Sequence, residues 1–170
     1  MSTVRHLEGI LLARFRELGW EALTPIQQKA YPVILRKKNA LLVAPTGSGK
    51  TEAAVVPILT VLASEGKRNG IRAVYITPLR ALNRDIFRRI IKYAEMSGLK
   101  VQVRHGDTPQ SQRARMLLDP PDLLITTPET LVILLTFYGS IILLPSSSKP
   151  FQFQASREVD TCNPKDVRSI

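Results

Sequence analysis

The chain is 170 residues long, 44% hydrophobic and 22% charged, which excludes an intrinsically disordered polymer and leaves room for one domain with a real core. Its formal net charge of +10 points to a polyanion, either a nucleic acid or an anionic membrane surface, with a merely solubilising positive surface as the alternative. The single cysteine, Cys162, excludes an internal disulfide and a cysteine-rich zinc site and argues for a reducing compartment. No secretory signal is visible, since the apolar run at Ile10-Leu11-Leu12 is short and flanked by Glu8 and Arg14. The longest apolar run, Leu131 to Leu144, is broken by Thr136, Gly139 and Ser140 and falls short of the ~20 residues a membrane helix needs. A cytoplasmic protein without a membrane partner is expected.

In chain order, Leu7, Ile10, Leu11, Phe15 and Leu18 fall at helical spacing, with Gly19 as a stop. Thr24-Pro25 then reads as an N-cap and a proline at the first helical position, opening a helix that ends at Arg36-Lys37-Lys38. From there short apolar strands alternate with helices. Strands are predicted at Ala40 to Ala44, Ala73 to Thr77, Val101 to Arg104 and Leu123 to Thr126. Helices are predicted at Lys50 to Ala63, Arg80 to Met96, Pro109 to Leu118 and from Pro128 onward. Such alternation predicts an α/β fold with a mainly parallel sheet, helices on both faces and strands buried on both sides. After Leu135 the regularity stops, and Pro145-Ser146-Ser147-Ser148-Lys149-Pro150 has linker composition. Residues 1–135 are therefore expected to form the ordered domain and residues 136–170 an irregular, poorly ordered tail.

Between the first predicted strand and its helix lies Ala44-Pro45-Thr46-Gly47-Ser48-Gly49-Lys50-Thr51. Apart from Ala44 at the first position, this is the phosphate-loop pattern of glycine, four residues, Gly-Lys-Ser/Thr, in the required strand-to-helix context. Glycines let backbone N–H groups turn toward phosphate oxygens, and the helix N-terminus adds positive potential. Lys50 is expected to reach the β and γ phosphates and Thr51 to bind Mg²⁺, with Thr46 and Ser48 adding polar contacts. A plain Gly-rich turn would not require Lys-Thr after the second glycine. ATP and Mg²⁺ are the expected cofactors.

The flanking segments narrow the reading. Ala44 to Thr51 resembles motif I of superfamily 2 helicases. Phe15 with Leu23-Thr24-Pro25-Ile26-Gln27 is similar to the adenine-recognising Q motif, and by that resemblance Gln27 selects adenine. Thr77-Pro78-Leu79-Arg80-Ala81-Leu82 resembles motif Ia and Thr126-Thr127-Pro128-Glu129-Thr130-Leu131 resembles motif Ib, which line the nucleic-acid path in that family. Taken singly, each Thr-Pro is simply a good helix start. The resemblance makes Thr77, Pro78, Arg80, Thr127, Pro128 and Glu129 candidate nucleic-acid contacts. Together with Arg104-His105-Gly106-Asp107-Thr108, the wording looks like the large helicase-related (Lhr-type) branch rather than the common RNA-helicase branch with its DEAD motif. Residues 80 to 115 carry nine Lys/Arg against three acids, and Arg80, Arg84 and Arg88 share one helix face. Arg80 is preferred for a backbone-phosphate role, and His105 is assigned no chemistry.

The resemblance runs from about Phe15 to Leu135. It implies an incomplete RecA-like domain, cut by truncation or frameshift before the acidic motif II that holds Mg²⁺ and orients water. The Ser-Ala-Thr motif and the second RecA-like domain with its arginine finger are also missing. By the same resemblance the missing strands belong beside the phosphate-loop strand, whose hydrophobic edge would otherwise be bare. The expected function is the ATP- and nucleic-acid-binding N-terminal portion of an Lhr-like DNA helicase, with RNA the less favoured ligand. It is not expected to hydrolyse ATP or unwind alone, and a complementing chain could carry the missing motifs. A non-catalytic regulatory module that uses ATP only as a ligand is the alternative. Another phosphate-loop enzyme such as a small kinase is disfavoured, because no substrate lid or acceptor site is evident.

Overall fold

A computed structural model describes residue 13 and residues 22–66, 70–78, 84–138 and 167–169, and among the residues from 22 onward that it describes five helices and five strands alternate. In order they are α1 (Pro25–Leu35), β1 (Ala40–Leu42), α2 (Lys50–Ser64), β2 (Ala73–Ile76), α3 (Arg84–Glu95), β3 (Val101–Arg104), α4 (Gln110–Leu118), β4 (Leu123–Thr126), α5 (Pro128–Tyr138) and β5 (Val167–Ser169). The expected helix at Val4 to Leu18 lies outside the described residues apart from helical Ala13, and so do Phe15, Leu79 and Arg80. Two units divide the chain, Met1–Ser64 with Phe151–Ile170, and Glu65–Pro150.

In the first unit α1 packs on α2 and β1. Ile26, Ala30, Tyr31, Ile34 and Leu35 form its buried face, the i, i+4 repeat of an amphipathic helix. The helix ends as a Schellman motif without a glycine. Lys37 takes the left-handed conformation (φ 56°), its N–H donates to Ile34 O at 2.8 Å, and Lys38 N–H donates to Val33 O at 3.2 Å. Helix α2 is apolar almost all round, with Ala53, Val55, Val56, Leu59 and Leu62 buried. It runs through Pro57, forfeiting the hydrogen bond that the Pro57 nitrogen cannot donate.

Strand β1 differs from expectation in its partner. It pairs with β5 in antiparallel register, Ala40 with Ser169, Leu41 with Arg168 and Leu42 with Val167. The stretch expected to be an irregular tail thus supplies a strand, and α5 also continues past Leu135 to Tyr138. The physical reason is the bare edge: the N–H and C=O groups of an unpaired strand need partners, and β5 supplies them.

The second unit carries the parallel sheet, in the order β2-β4-β3. Central strand β4 is buried along its whole length, as its unbroken Leu-Leu-Ile predicts. Asp122, just before β4, ties the three strands together at their N-terminal ends. Its carbonyl accepts from the N–H groups of Arg72 and Ala73 (both 2.9 Å), and its own N–H donates to Lys100 O (2.9 Å). One carboxylate oxygen accepts from Lys100 N–H at 2.9 Å, and the other pairs with Arg72 Nη1 at 3.1 Å. Arg72, whose side chain is 3% exposed, also reaches Glu65 at 3.3 Å.

Removing one member of a buried, hydrogen-bonded ion pair strands the other. Asp122→Ala should therefore destabilise the second unit by about 3–5 kcal/mol. Hydrogen exchange should show the loss in β2, β3 and β4 together while α2 keeps its protection.

Candidate functional site

The phosphate loop starts where β1 ends. Ser48 N–H closes its turn on Pro45 O at 3.3 Å, and Gly47 and Gly49 take φ of 80° and 85°, values that residues with a Cβ rarely adopt. At Gly49 there is a second constraint: a Cβ there would lie 2.8 Å from Gln27 Nε2 and 3.5 Å from Thr24 Oγ1. A Cβ on Gly47 would meet open space. Helix α2 begins at Lys50, so the Lys50 and Thr51 N–H groups are first-turn donors with no acceptor in the helix.

Lys50 lies over its own loop, Nζ donating to the carbonyls of Ala44 and, at 2.8 Å, of Pro45. An ammonium has three donors, which leaves one beyond the loop carbonyls. Ser48 Oγ is buried and makes no hydrogen bond among the described residues, a costly position for a hydroxyl without a ligand. Thr46 is exposed and Thr51 half-buried. Two left-handed glycines, first-turn amides, an ammonium and an orphan hydroxyl together fit a polyphosphate. The fit to Mg²⁺ rests on the Thr51 hydroxyl alone. Among the described residues, no group of three His, Cys, Asp or Glu could hold a metal ion.

Gln27 is brought to this loop, 3% exposed, with Oε1 accepting from Thr24 N–H at 3.0 Å and Nε2 over Gly49. The close approach of Gln27 to Gly49 escaped the sequence reading, although the Thr24-x-x-Gln27 spacing is that of a capping box. One Oε1 lone pair is thus engaged, while the second and the Nε2 donors retain the capacity to meet an adenine edge.

In the second unit the register sets Ile76, Thr126 and Arg104 level across the sheet, so the loops after β2, β4 and β3 leave from one edge. This brings Thr77 beside Thr127, with Thr77 N–H donating to Thr126 O at 3.0 Å. Both threonines are buried, whereas Pro78, Pro128 and Glu129 are exposed. The Thr127 hydroxyl donates to Thr130 Oγ1 at 3.0 Å and accepts from Thr130 N–H at 3.3 Å, which makes it the N-cap of α5. The groups presented outward are therefore those of Pro78, Pro128 and Glu129, not the Thr127 hydroxyl.

The third loop is held by its own bonds. His105 N–H donates to Thr108 Oγ1 at 2.9 Å, and His105 Nδ1 accepts from Asp107 N–H at 3.3 Å. Arg113 donates to Thr108 O at 2.7 Å and to Gly106 O. Arg104 is buried at the strand end. Among the described basic side chains of this stretch, Arg104 is thus buried and Arg113 is turned onto its own loop, while Arg88, Arg89, Lys92 and Arg115 are exposed.

With this geometry in view, comparisons are informative. Residues 24–151 match the DEAD/DEAH box helicase family, extending past Leu135. Over 131 residues the chain is 40% identical to the ATP-dependent helicase Lhr-Core of Sulfolobus acidocaldarius, covering 70% of this chain and 15% of that protein. Over 132 residues it is 43% identical to the Lhr helicase/probable uracil glycosylase of Mycolicibacterium smegmatis, covering 69% and 9%. The solved structure of the Mycobacterium smegmatis helicase Lhr bound to ssDNA and AMP-PNP superposes with a TM-score of 0.61 at 40% identity, covering 74% of this chain and 18% of that one. The chain therefore spans less than a fifth of the length of these relatives. No helix among the described residues is long and apolar enough to cross a membrane.

The two loop glycines should respond differently to a methyl group. Gly47→Ala adds only the left-handed backbone cost, roughly 1–2 kcal/mol. Gly49→Ala adds that cost and displaces Gln27, so its thermal midpoint and its affinity for a fluorescent ATP analogue should both fall further. Equal losses in the two variants would contradict the packing of Gln27 on Gly49.

Proposed function

Because the chain belongs to the DEAD/DEAH box helicase family, we propose that it is the ATP- and nucleic-acid-binding N-terminal portion of an Lhr-like, ATP-dependent DNA helicase, and that the 170-residue chain alone binds ATP without turning it over. The observation that carries the reading is the phosphate loop, with Gly47 and Gly49 left-handed and the Lys50 ammonium at its mouth. In this role Lys50 and the first-turn amides hold the β and γ phosphates. Ser48 Oγ gains a partner, Gln27 faces the adenine edge and Thr51 contributes one ligand to Mg²⁺. Pro78, Arg80, Pro128 and Glu129, with the Thr77 and Thr127 backbone, meet a nucleic-acid strand. The ssDNA and AMP-PNP bound by the mycobacterial relative favour DNA and a nucleoside triphosphate.

Absence of turnover follows from chemistry. Phosphoryl transfer requires a held metal, an oriented water and charge stabilisation at the γ phosphate, where an arginine finger alone is worth roughly 10³–10⁵ in rate. No two acidic residues are adjacent anywhere in the 170-residue sequence, so an Asp-Glu pair and a second RecA-like domain would have to come from outside these 170 residues. A non-catalytic regulatory module is favoured by one observation: β5 gives the phosphate-loop strand a partner within this chain.

Titration of the full chain with a fluorescent ATP analogue tests the binding. A charge-assisted hydrogen bond is worth about 1.5–3 kcal/mol, so Lys50→Ala should weaken binding by roughly 10- to 100-fold. Unchanged affinity would overturn the nucleotide site. Phosphate release should stay at background with and without single-stranded DNA. A DNA-stimulated rate abolished by Lys50→Ala would show instead that the chain is a complete catalyst.

A further inference from the structure

Among the described residues of the first unit, every exposed charge is positive. Lys29, Arg36, Lys37 and Lys38 are exposed, whereas Glu52, the one acid within residues 22–64, is 6% exposed. Helix α1 arranges these cations in a row. Its buried face, with Ile26, Ala30, Tyr31 and Ile34, packs the helix into the unit. Lys29 and Arg36, seven residues apart, share the opposite face with half-buried Pro32 and Val33 between them. Seven residues of helix span about 10.5 Å, and Lys37 and Lys38 continue the row past the helix end.

A cation row opposite an apolar face is the ordinary solvated side of a helix, and cations after the last turn complement the helix dipole. Two observations go further. The row has no exposed acid among the described residues of its unit to neutralise it. Lys37 also occupies the left-handed position of the turn that ends α1, with φ of 56°. Glycine is the usual occupant there, because a Cβ crowds the neighbouring carbonyl. A lysine stands where the backbone favours a residue without a side chain.

We propose that the outer face of α1 and the turn after it, Lys29, Arg36, Lys37 and Lys38, form a docking surface for the phosphate backbone of a nucleic-acid duplex. The outer face offers only half-buried Pro32 and Val33 as apolar surface, too little to enter a bilayer. Tyr31 is 3% exposed, so α1 presents no ring on which an unpaired base could stack. A duplex carries about one charge per 1.7 Å of its axis, against about 3.4 Å for one strand, and is the denser target for cations that read no base. This surface extends the proposed function, whose nucleic-acid contacts all lie in the second unit, and it rests on its own observations.

Anisotropy titration of the full chain with a short blunt DNA duplex, and with a single strand of equal length, across a salt series tests it. Each lost phosphate contact lowers the slope of log affinity against log salt by about 0.9. The combined variant Lys29→Gln, Arg36→Gln, Lys38→Gln should therefore lose about 2.7 of the duplex slope, with a smaller loss on the single strand. Its affinity for a fluorescent ATP analogue should be unchanged, so failure here and failure of the nucleotide site are read separately. Lys37→Gly should raise the thermal midpoint and still lower the duplex slope by about 0.9. Unchanged duplex slopes in both variants would overturn the proposal and leave the cluster as a helix terminus only. Equal losses on duplex and single strand would overturn it as a general charge effect. Wild-type binding to phosphatidylserine vesicles at salt where the duplex no longer binds would overturn it in favour of an anionic membrane surface.

Discussion

The second unit depends on how Asp122 meets the starts of its neighbouring strands. Backbone and carboxylate together make bonds to Arg72, Ala73 and Lys100, so one residue holds the first rungs on both sides of β4. Buried ion pairs are a poor source of net stability, because desolvation offsets much of the Coulomb gain. What the arrangement supplies is register. A slip by one residue would invert every side chain of a strand, and it would leave the Arg72 guanidinium facing apolar surroundings. With the register held at the N-terminal ends, Thr77 and Thr127 come level at the other end, and two loops far apart in sequence share one edge.

A similar economy operates in the first unit. The glycine-rich loop is shaped by its own lysine, since the Lys50 ammonium donates to the Ala44 and Pro45 carbonyls. A triphosphate would therefore compete with bonds already made, and the net gain on binding would be smaller than a count of contacts suggests. Gln27 is likewise shared, bonding the amide that opens α1 and resting on the glycine that opens α2. The side chain that would read a base is also part of the wall that fixes the loop.

Charge is distributed less simply than the net of +10 implies. Arg72 and Arg104 are buried, and Arg113 serves its own turn, so these cations are spent on folding. Arg88, Arg89 and Lys92 on α3 are exposed, and under the proposed function this face would make contacts to a phosphate backbone. Such contacts carry affinity without sequence choice and weaken steeply with salt.

The sequence by itself determined the local elements and the identity of the loop. Short apolar runs bounded by turn signals placed β2, β3 and β4 to within a residue, although only β4 proves buried on both faces as expected, β2 and β3 being largely half-buried. Gly47, Gly49, Lys50 and Thr51 were legible because phosphate binding needs those residue types at that spacing. Only the tertiary structure decided partners. That β1 is paired by β5, that β4 lies between β2 and β3, that Gln27 rests on Gly49 and that Asp122 and Arg72 meet across 50 residues are long-range facts. Helical and strand periodicity report which face of an element is apolar, not which other element covers it. The Thr127 hydroxyl shows the difference: its sequence suits both a helix cap and a phosphate contact, and the position of Thr130 commits it to the cap.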